Sequence, residues 1–193
     1  IQEINLEGCP VNLTGIYLHS NKIQEMNWKG CPESLTKINL RDNQIQEINW
    51  EGCSDITRNL TEINLNNNKI KEMNWKGCPK NLTKIDLSYN PIEEMNWKEC
   101  SENLNHIILG HNMIKELNWD DCPMNLTEIY LHSNKIQEMN WKGCPDSLTT
   151  INLRDNQIQE INWEGCPRNF SVIYLGNKIK ELHVINWKYV PWN

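Results

Sequence analysis

Residues 13–34 read LTGIYLHSNKIQEMNWKGCPES, and close copies of this stretch recur along almost the whole chain. The leucine that opens it returns after 22 residues each time, except for a step of 25 residues between Leu35 and Leu60. It stands at Leu13, Leu35, Leu60, Leu82, Leu104, Leu126 and Leu148, with Phe170 in the last copy. Self-similarity at this period predicts a stack of repeats in which each repeat is one turn, or rung, of a solenoid.

The I-x-L segment of each repeat predicts a short β-strand. Ile16 and Leu18 alternate with a polar residue, so they face one side of the strand while Tyr17 faces the other. A repeat this small cannot bury its apolar face alone, so the repeats are expected to stack into a parallel sheet. After the strand, Ile23 and Met26 begin a series of irregularly spaced apolar residues, which predicts tight turns of extended or 3₁₀ character rather than a regular helix.

The pattern L-x-x-I-x-L-x-x-N-x-I resembles the leucine-rich-repeat motif, with Ile16, Leu18, Asn21 and Ile23 as one full instance. The ending E-M-N-W-x-G-C-P differs from the endings of the common subfamilies. The resemblance implies an α/β-type repeat solenoid with a curved parallel β-sheet on its concave face, short turns on its convex face and little regular α-helix. It also implies a non-catalytic binding module.

The whole chain, 1–193, is predicted to be one solenoid. Residues 1–12 are assigned to a partial amino-terminal rung, 13–181 to eight repeats, and 182–193 to a partial carboxyl-terminal cap. The amino end has few apolar residues with which to cover an open strand edge. Open edges pair readily with other chains, so end-to-end self-association is predicted there.

Four residue positions are occupied almost without change in every repeat, and each predicts a structural ladder. One asparagine is expected to bond backbone groups where the chain leaves the strand, and a second to form amide bonds up and down the stack. Tryptophans and cysteines are expected to be packed in the interior. The positions are Asn21, Asn43, Asn68, Asn90, Asn112, Asn134 and Asn156; Asn27, Asn49, Asn74, Asn96, Asn118, Asn140 and Asn162; Trp28, Trp50, Trp75, Trp97, Trp119, Trp141 and Trp163; and Cys9, Cys31, Cys53, Cys78, Cys100, Cys122, Cys144 and Cys166.

Two features of the sequence point to different compartments. Eight cysteines fall once per repeat, where equivalent side chains point in parallel rather than toward each other, so reduced thiols and a cytoplasmic location are favoured. The lack of any C-x-x-C pair disfavours a zinc site. Five N-glycosylation sequons favour secretion instead, namely those at Asn12, Asn59, Asn81, Asn125 and Asn169. The first ten residues lack a basic start and an apolar core, so no signal peptide is expected.

The outward positions of the strand and of the turn after it vary from repeat to repeat, unlike the framework. Tyr, Asn, Arg and His at these positions resemble the composition of antibody paratopes, which predicts a binding surface for a protein partner. The candidate residues are Tyr17, His19, Asn39, Arg41, Asn64, Asn66, Asp86, Tyr89, His106, Ile108, His111, Tyr130, His132, Asn152, Arg154 and Tyr174. The centre of the chain departs most from the flanking pattern, so the main binding contacts are predicted around Tyr89 and His111.

Two other functions compete with protein binding. Ile16–Cys53 and Ile129–Cys166 differ at only two positions, as recent duplication or consensus engineering would produce, which favours a structural or engineered scaffold. The sequons favour an extracellular module that recognises carbohydrate or a surface.

Several functional classes are not expected. A net charge of −6 argues against nucleic acid, and the chain has no apolar run long enough to cross a membrane. No motif indicates a catalytic centre, and no cofactor or metal is expected, although His111 and His132 could meet across rungs as a surface metal pair.

Overall fold

The computed structural model describes residues 1–53 and 57–176. Eight strands of three residues each form a single parallel sheet in which the strands lie in chain order. The strands are β1 (Gly15–Tyr17), β2 (Lys37–Asn39), β3 (Glu62–Asn64), β4 (Lys84–Asp86), β5 (His106–Ile108), β6 (Glu128–Tyr130), β7 (Thr150–Asn152) and β8 (Val172–Tyr174). The predicted solenoid with a parallel sheet is therefore confirmed. The cap proposed for 182–193 lies outside the described residues.

The strand register follows the repeat, because equivalent residues of neighbouring repeats are paired. Ile85 of β4 pairs with Ile107 of β5, and Asp86 pairs with Ile108. The central isoleucine of β2 to β7 is buried in each case, while the residues on either side of it are half-buried or exposed. The strand therefore begins one residue earlier than the predicted I-x-L segment, and the residue before the isoleucine also faces outward.

The first asparagine ladder forms the hydrogen bonds that close each rung where the chain leaves the strand. In the central rung, Asn90 Nδ2 donates to the backbone oxygens of Leu65, Leu87 and Ser88 at 3.0, 3.0 and 3.2 Å. Asn90 Oδ1 accepts from the backbone nitrogen of Ile70 at 3.0 Å. The buried amide bonds backbone groups at the end of the strand, as the sequence predicted, and it also joins two neighbouring rungs.

The second asparagine ladder is structural but is bonded differently from the prediction. These side chains are exposed, and each caps its own turn; Asn96 Oδ1, for example, accepts from the backbone nitrogen of Lys98 at 2.9 Å. The bond between rungs comes instead from tryptophan, since Trp75 Nε1 donates to the backbone oxygen of Asn96 at 2.7 Å. The prediction of amide bonds between these asparagines was wrong, because each side chain forms an Asx turn with its own backbone.

The convex side consists of extended segments and isolated turns. Within the first full rung, the backbone nitrogen of Cys31 donates to the oxygen of Trp28 at 3.0 Å, and that of Leu35 donates to the oxygen of Pro32 at 3.1 Å. Gly30 is the third residue of the four-residue turn that begins at Trp28. Its φ of 77° lies in the left-handed region, which favours glycine at this position of the turn.

The amino-terminal segment 1–12 packs on the first full rung. Ile4 and Leu6 are buried, and the backbone nitrogen of Lys22 donates to the oxygen of Ile1 at 2.9 Å. Among the described residues, β1 has no strand on its outer side. The predicted end-to-end association at this edge stays a prediction.

The eight cysteines are free thiols that lie once per rung, four of them buried and four half-buried. Burial raises the pKa of Cys31 and Cys78 to about 11 and that of Cys53 and Cys122 to about 12. Since only the thiolate is a good nucleophile, these groups are expected to be unreactive near neutral pH.

Thiol titration of the native chain near pH 8 should therefore label few cysteines, whereas titration in denaturant should label all eight. Cys53, whose side chain is fully buried, should be among the last to react. Four disulfides, or rapid labelling of Cys53 in the native state, would contradict this prediction.

Candidate binding surface

The outward side chains of the eight strands and of the turns that follow them form what we call the concave face. The candidate residues on the strands are half-buried or exposed, and those in the turns are likewise accessible. Tyr89 and His111 lie three residues after the ends of β4 and β5, beyond the strands themselves. Backbone pairing continues to this point, because the Tyr89 nitrogen donates to the Gly110 oxygen at 2.9 Å.

Three aromatic side chains from successive rungs form a cluster in the middle of this face. The rings of Tyr89 and His111 are stacked, with centroids 4.1 Å apart and an angle of 12° between their planes. The ring of His132 meets His111 edge-on, with centroids 5.2 Å apart. Tyr89 and His111 are exposed, so the stacked pair presents an aromatic surface to solvent.

The backbone at this cluster is left-handed, a conformation that a bulky residue such as Tyr89 rarely adopts. Tyr89 and His111 both have a φ of 56°, in the left-handed region. Ser20, Asp42, Asn67, Ser133 and Asp155 occupy the same place in other rungs, and Asn and Asp tolerate this conformation best. A bulky tyrosine there is strained, and such residues concentrate at functional sites.

His132 lies close over Gly110. A Cβ atom at Gly110 would collide with the His132 ring, so only glycine leaves room for the imidazole. His132 Nδ1 is buried and has no hydrogen-bond partner among the described residues. Desolvation and the neighbouring His111 lower the pKa of His132, so the ring is neutral at neutral pH.

A second cluster lies on the strands beside the first. Tyr130 donates its hydroxyl hydrogen to Glu128 Oε2 at 2.8 Å, and His106 Nδ1 lies 3.3 Å from the same oxygen. The rings of His106 and Tyr130 are 5.3 Å apart. Ile108 lies between Asp86 and Tyr130 in the strand register.

Desolvation lowers the pKa of His106 and outweighs the opposing effect of Glu128. His106 is therefore neutral at neutral pH and does not cancel the charge of the Glu128 carboxylate. Tyr130 stays protonated, because burial and the bond to Glu128 raise its pKa to about 12.

The outward column that precedes the central isoleucine was not predicted from the sequence, except for His106. In this column Glu62 forms ion pairs with Lys37 at 2.8 Å and with Lys84 at 3.7 Å. These two lysines lower the pKa of Glu62. The alternation of inward and outward residues predicts this column once the strand is taken to begin one residue before the isoleucine.

The remaining candidate residues flank the two clusters. Asn39, Asn64 and Asn152 each accept a bond from the backbone nitrogen two residues later, so their oxygens are already used. The guanidinium of Arg154 lies 4.6 Å over the ring of Tyr174. Tyr17 is 65% exposed. His19, Arg41 and Asn66 line the face away from its centre, and Arg41 pairs with Asp42 at 3.1 Å.

The concave face has no assembled metal centre in the part of the chain that the structure describes. Histidine, cysteine and carboxylate side chains do not gather there in groups of three or more. His111 and His132 do meet across rungs, as the sequence predicted, but as a ring contact between two imidazoles. Within the described ranges, no helix has the length and apolar character needed to cross a membrane.

The sequon asparagines have a structural role that explains their recurrence. Asn81 Nδ2 donates to the backbone oxygen of Arg58 at 2.6 Å, and Asn125 Nδ2 donates to that of Glu102 at 2.8 Å. Asn103 forms the same bond with Lys80 at 2.9 Å, although its segment N-L-N is not a sequon. The bond between rungs therefore accounts for asparagine at this position without glycosylation.

Comparison with known proteins agrees with this architecture. A family model described as leucine rich repeat matches residues 33–92. The fold is similar to that of YopM from Yersinia enterocolitica WA-314, with 21% identity, a TM-score of 0.65, and coverage of 88% of this chain and 34% of that one. No curated protein sequence matches the chain.

Two further solved structures share the fold. One is TLR13 in a complex with ssRNA13, with 23% identity, a TM-score of 0.75, and coverage of 86% of this chain and 25% of that one. The other is the functional domain of InlJ from Listeria monocytogenes, whose title mentions a cysteine ladder, with 19% identity, a TM-score of 0.66, and coverage of 94% and 43%. This chain spans less than half the length of each of the three proteins. Residues 33–92 thus match the leucine rich repeat family model, and the described chain has the solenoid fold that these structures share.

Proposed function

We propose that the chain is a non-catalytic binding module that recognises a protein partner through its concave face. The stacked pair Tyr89–His111 carries this proposal, because an exposed aromatic pair on strained backbone has no evident structural role. Rigid aromatic residues supply a large contact area at a low entropic cost, and they dominate the energetics of protein interfaces.

The surroundings of the pair support the same function. An extended sheet face suits a folded partner, since solenoids present long surfaces of this kind. The framework residues hardly change from rung to rung, whereas the outward residues vary. The outward residues at the centre therefore differ most from those of the flanking rungs.

The partner-binding prediction is tested with partners captured by the immobilised chain, then purified and titrated by calorimetry. Tyr89→Ala or His111→Ala should weaken binding by at least about 1 kcal/mol, since truncating a central aromatic contact removes a large buried area. The control variants Lys76→Ala and Lys142→Ala change exposed residues of the convex turns. Equal losses in the controls, with none at the centre, would refute the proposal.

Mass spectrometry and the partner capture together separate the competing functions. Glycan on Asn81 or Asn125 of the native protein, found by mass spectrometry, would favour an extracellular module and contradict a cytoplasmic location. The absence of any partner would favour a scaffold. Nucleic acid also belongs in the titration, because TLR13 was solved as a complex with ssRNA13. The net charge of −6 is what favours protein over RNA.

A further inference from the structure

We propose that the strand cluster on the concave face binds an arginine side chain of the partner, with its aliphatic part over Ile108 and its guanidinium on Tyr130 beside Glu128. This inference rests on the proposed function and specifies its partner chemistry. Charge complementarity, the shape of the site and an equivalent contact within the chain favour this occupant.

The charge complementarity comes from two carboxylates, Glu128 and Asp86, that lie near the apolar side chain of Ile108. Glu128 faces a neutral His106, and its Oε2 is held by the hydroxyl of Tyr130. Asp86 uses Oδ1 to accept from the backbone nitrogen and the hydroxyl of Ser88, at 2.9 and 2.7 Å. Neither carboxylate has an ion pair with lysine or arginine in the described residues, whereas Glu62 has two.

The shape of the site suits a long side chain with a planar cation. Neighbouring strands lie about 4.8 Å apart, so Asp86, Ile108 and Tyr130 form a row about 10 Å long. Ile108 is the single aliphatic residue of its column on the described strands, and it offers an apolar contact for a methylene stem. A guanidinium beyond that stem would reach the ring of Tyr130 and the carboxylate of Glu128.

An equivalent contact already exists two rungs further along. There the guanidinium of Arg154 lies over the ring of Tyr174, which occupies the same column as Tyr130. Arg154 belongs to the rung before Tyr174, and the corresponding residue before Tyr130 is Gly110. The chain thus supplies a cation to Tyr174 but none to Tyr130 from this position. We infer that the partner supplies it.

Nuclear magnetic resonance of the full chain tests the subsite with small probes. Nα-acetyl-arginine methylamide should shift the Ile108 methyl signal in a saturable way, and the isosteric but neutral citrulline analogue should not. The corresponding lysine derivative, which lacks a planar cation, should bind at least about threefold more weakly.

Substitutions then test which carboxylate binds the arginine probe. Glu128→Gln should weaken binding of the arginine probe by at least about threefold while keeping an acceptor for Tyr130. Glu62→Gln is the matched control, since it removes a carboxylate of the same column that lysines already neutralise, and it should leave probe affinity unchanged. Circular dichroism confirms that both variants are folded.

Acidification gives an independent readout. Protonated His106 would neutralise Glu128, so probe affinity should fall from about pH 7.5 to about pH 5, and His106→Gln should remove most of that fall. The charged groups that act on His106 are Glu128, Lys84, Asp86 and Glu62.

Three results would overturn the subsite: no shift of Ile108 up to the solubility limit of the probe, equal binding of citrulline, or full affinity in Glu128→Gln. Failure of the arginine subsite can be distinguished from failure of the proposed partner binding. Probe binding at Ile108 without a loss of partner affinity in Tyr89→Ala would retain the subsite and reject the proposed central contact.

Discussion

Replacing Trp97 with alanine is expected to lower the free energy of unfolding by about 3–5 kcal/mol. The Trp97 side chain is 1% exposed and belongs to the core that runs through all the rungs. Its removal leaves a large cavity that neighbouring rungs cannot fill, because their own tryptophans are fixed by hydrogen bonds. Urea denaturation followed by circular dichroism measures the loss.

Two further variants separate packing from hydrogen bonding. Trp97 Nε1 donates to the backbone oxygen of Asn118 at 2.8 Å. Trp97→Phe keeps most of the ring but leaves that oxygen without its donor, so it should cost about 1–2 kcal/mol. Tyr17→Ala, at an exposed site, should change stability by no more than about 0.5 kcal/mol. A cost for Trp97→Ala as small as that of Tyr17→Ala would show that the column is not a packing element.

Most of the fold follows from repetition. A residue that recurs in every repeat must occupy an equivalent environment, so the buried state of Trp97 and the structural role of Asn90 could be predicted without coordinates. Parallel pairing follows as well, since stacking identical units places the strands side by side in chain order. The same argument explains why Asn81 recurs, because each copy bonds the preceding rung.

Repetition does not reveal which local partner satisfies a polar side chain. Asn96 and Asn90 recur equally often, yet one caps an exposed turn and the other is buried between rungs. Nor does it reveal backbone conformation, since the left-handed φ of Tyr89 contradicts its residue preference. The contacts of the candidate site are specific to single rungs. The stacking of Tyr89 on His111 and the close approach of His132 depend on side-chain orientations that no periodic pattern encodes.

The second large effect is expected from Asn90→Ala, which should lower the free energy of unfolding by about 3 kcal/mol. The Asn90 amide is 4% exposed, donates to three backbone oxygens and accepts from the nitrogen of Ile70. Alanine leaves these backbone groups buried and unpaired at the junction of two rungs, where water cannot replace the amide without opening the stack. Chemical denaturation again provides the measurement.

Asn96→Ala in the same rung is the matched control, because it removes the same amide from an exposed turn. Water can satisfy the Lys98 nitrogen that Asn96 caps, so this variant should cost no more than about 1 kcal/mol. Asn90→Asp preserves the size of the side chain but replaces the donor with an oxygen facing backbone oxygens, and near neutral pH it should destabilise at least as much as alanine. Similar costs for Asn90→Ala and Asn96→Ala would mean that the buried ladder does not hold the rungs together, and that the stack depends on apolar packing alone.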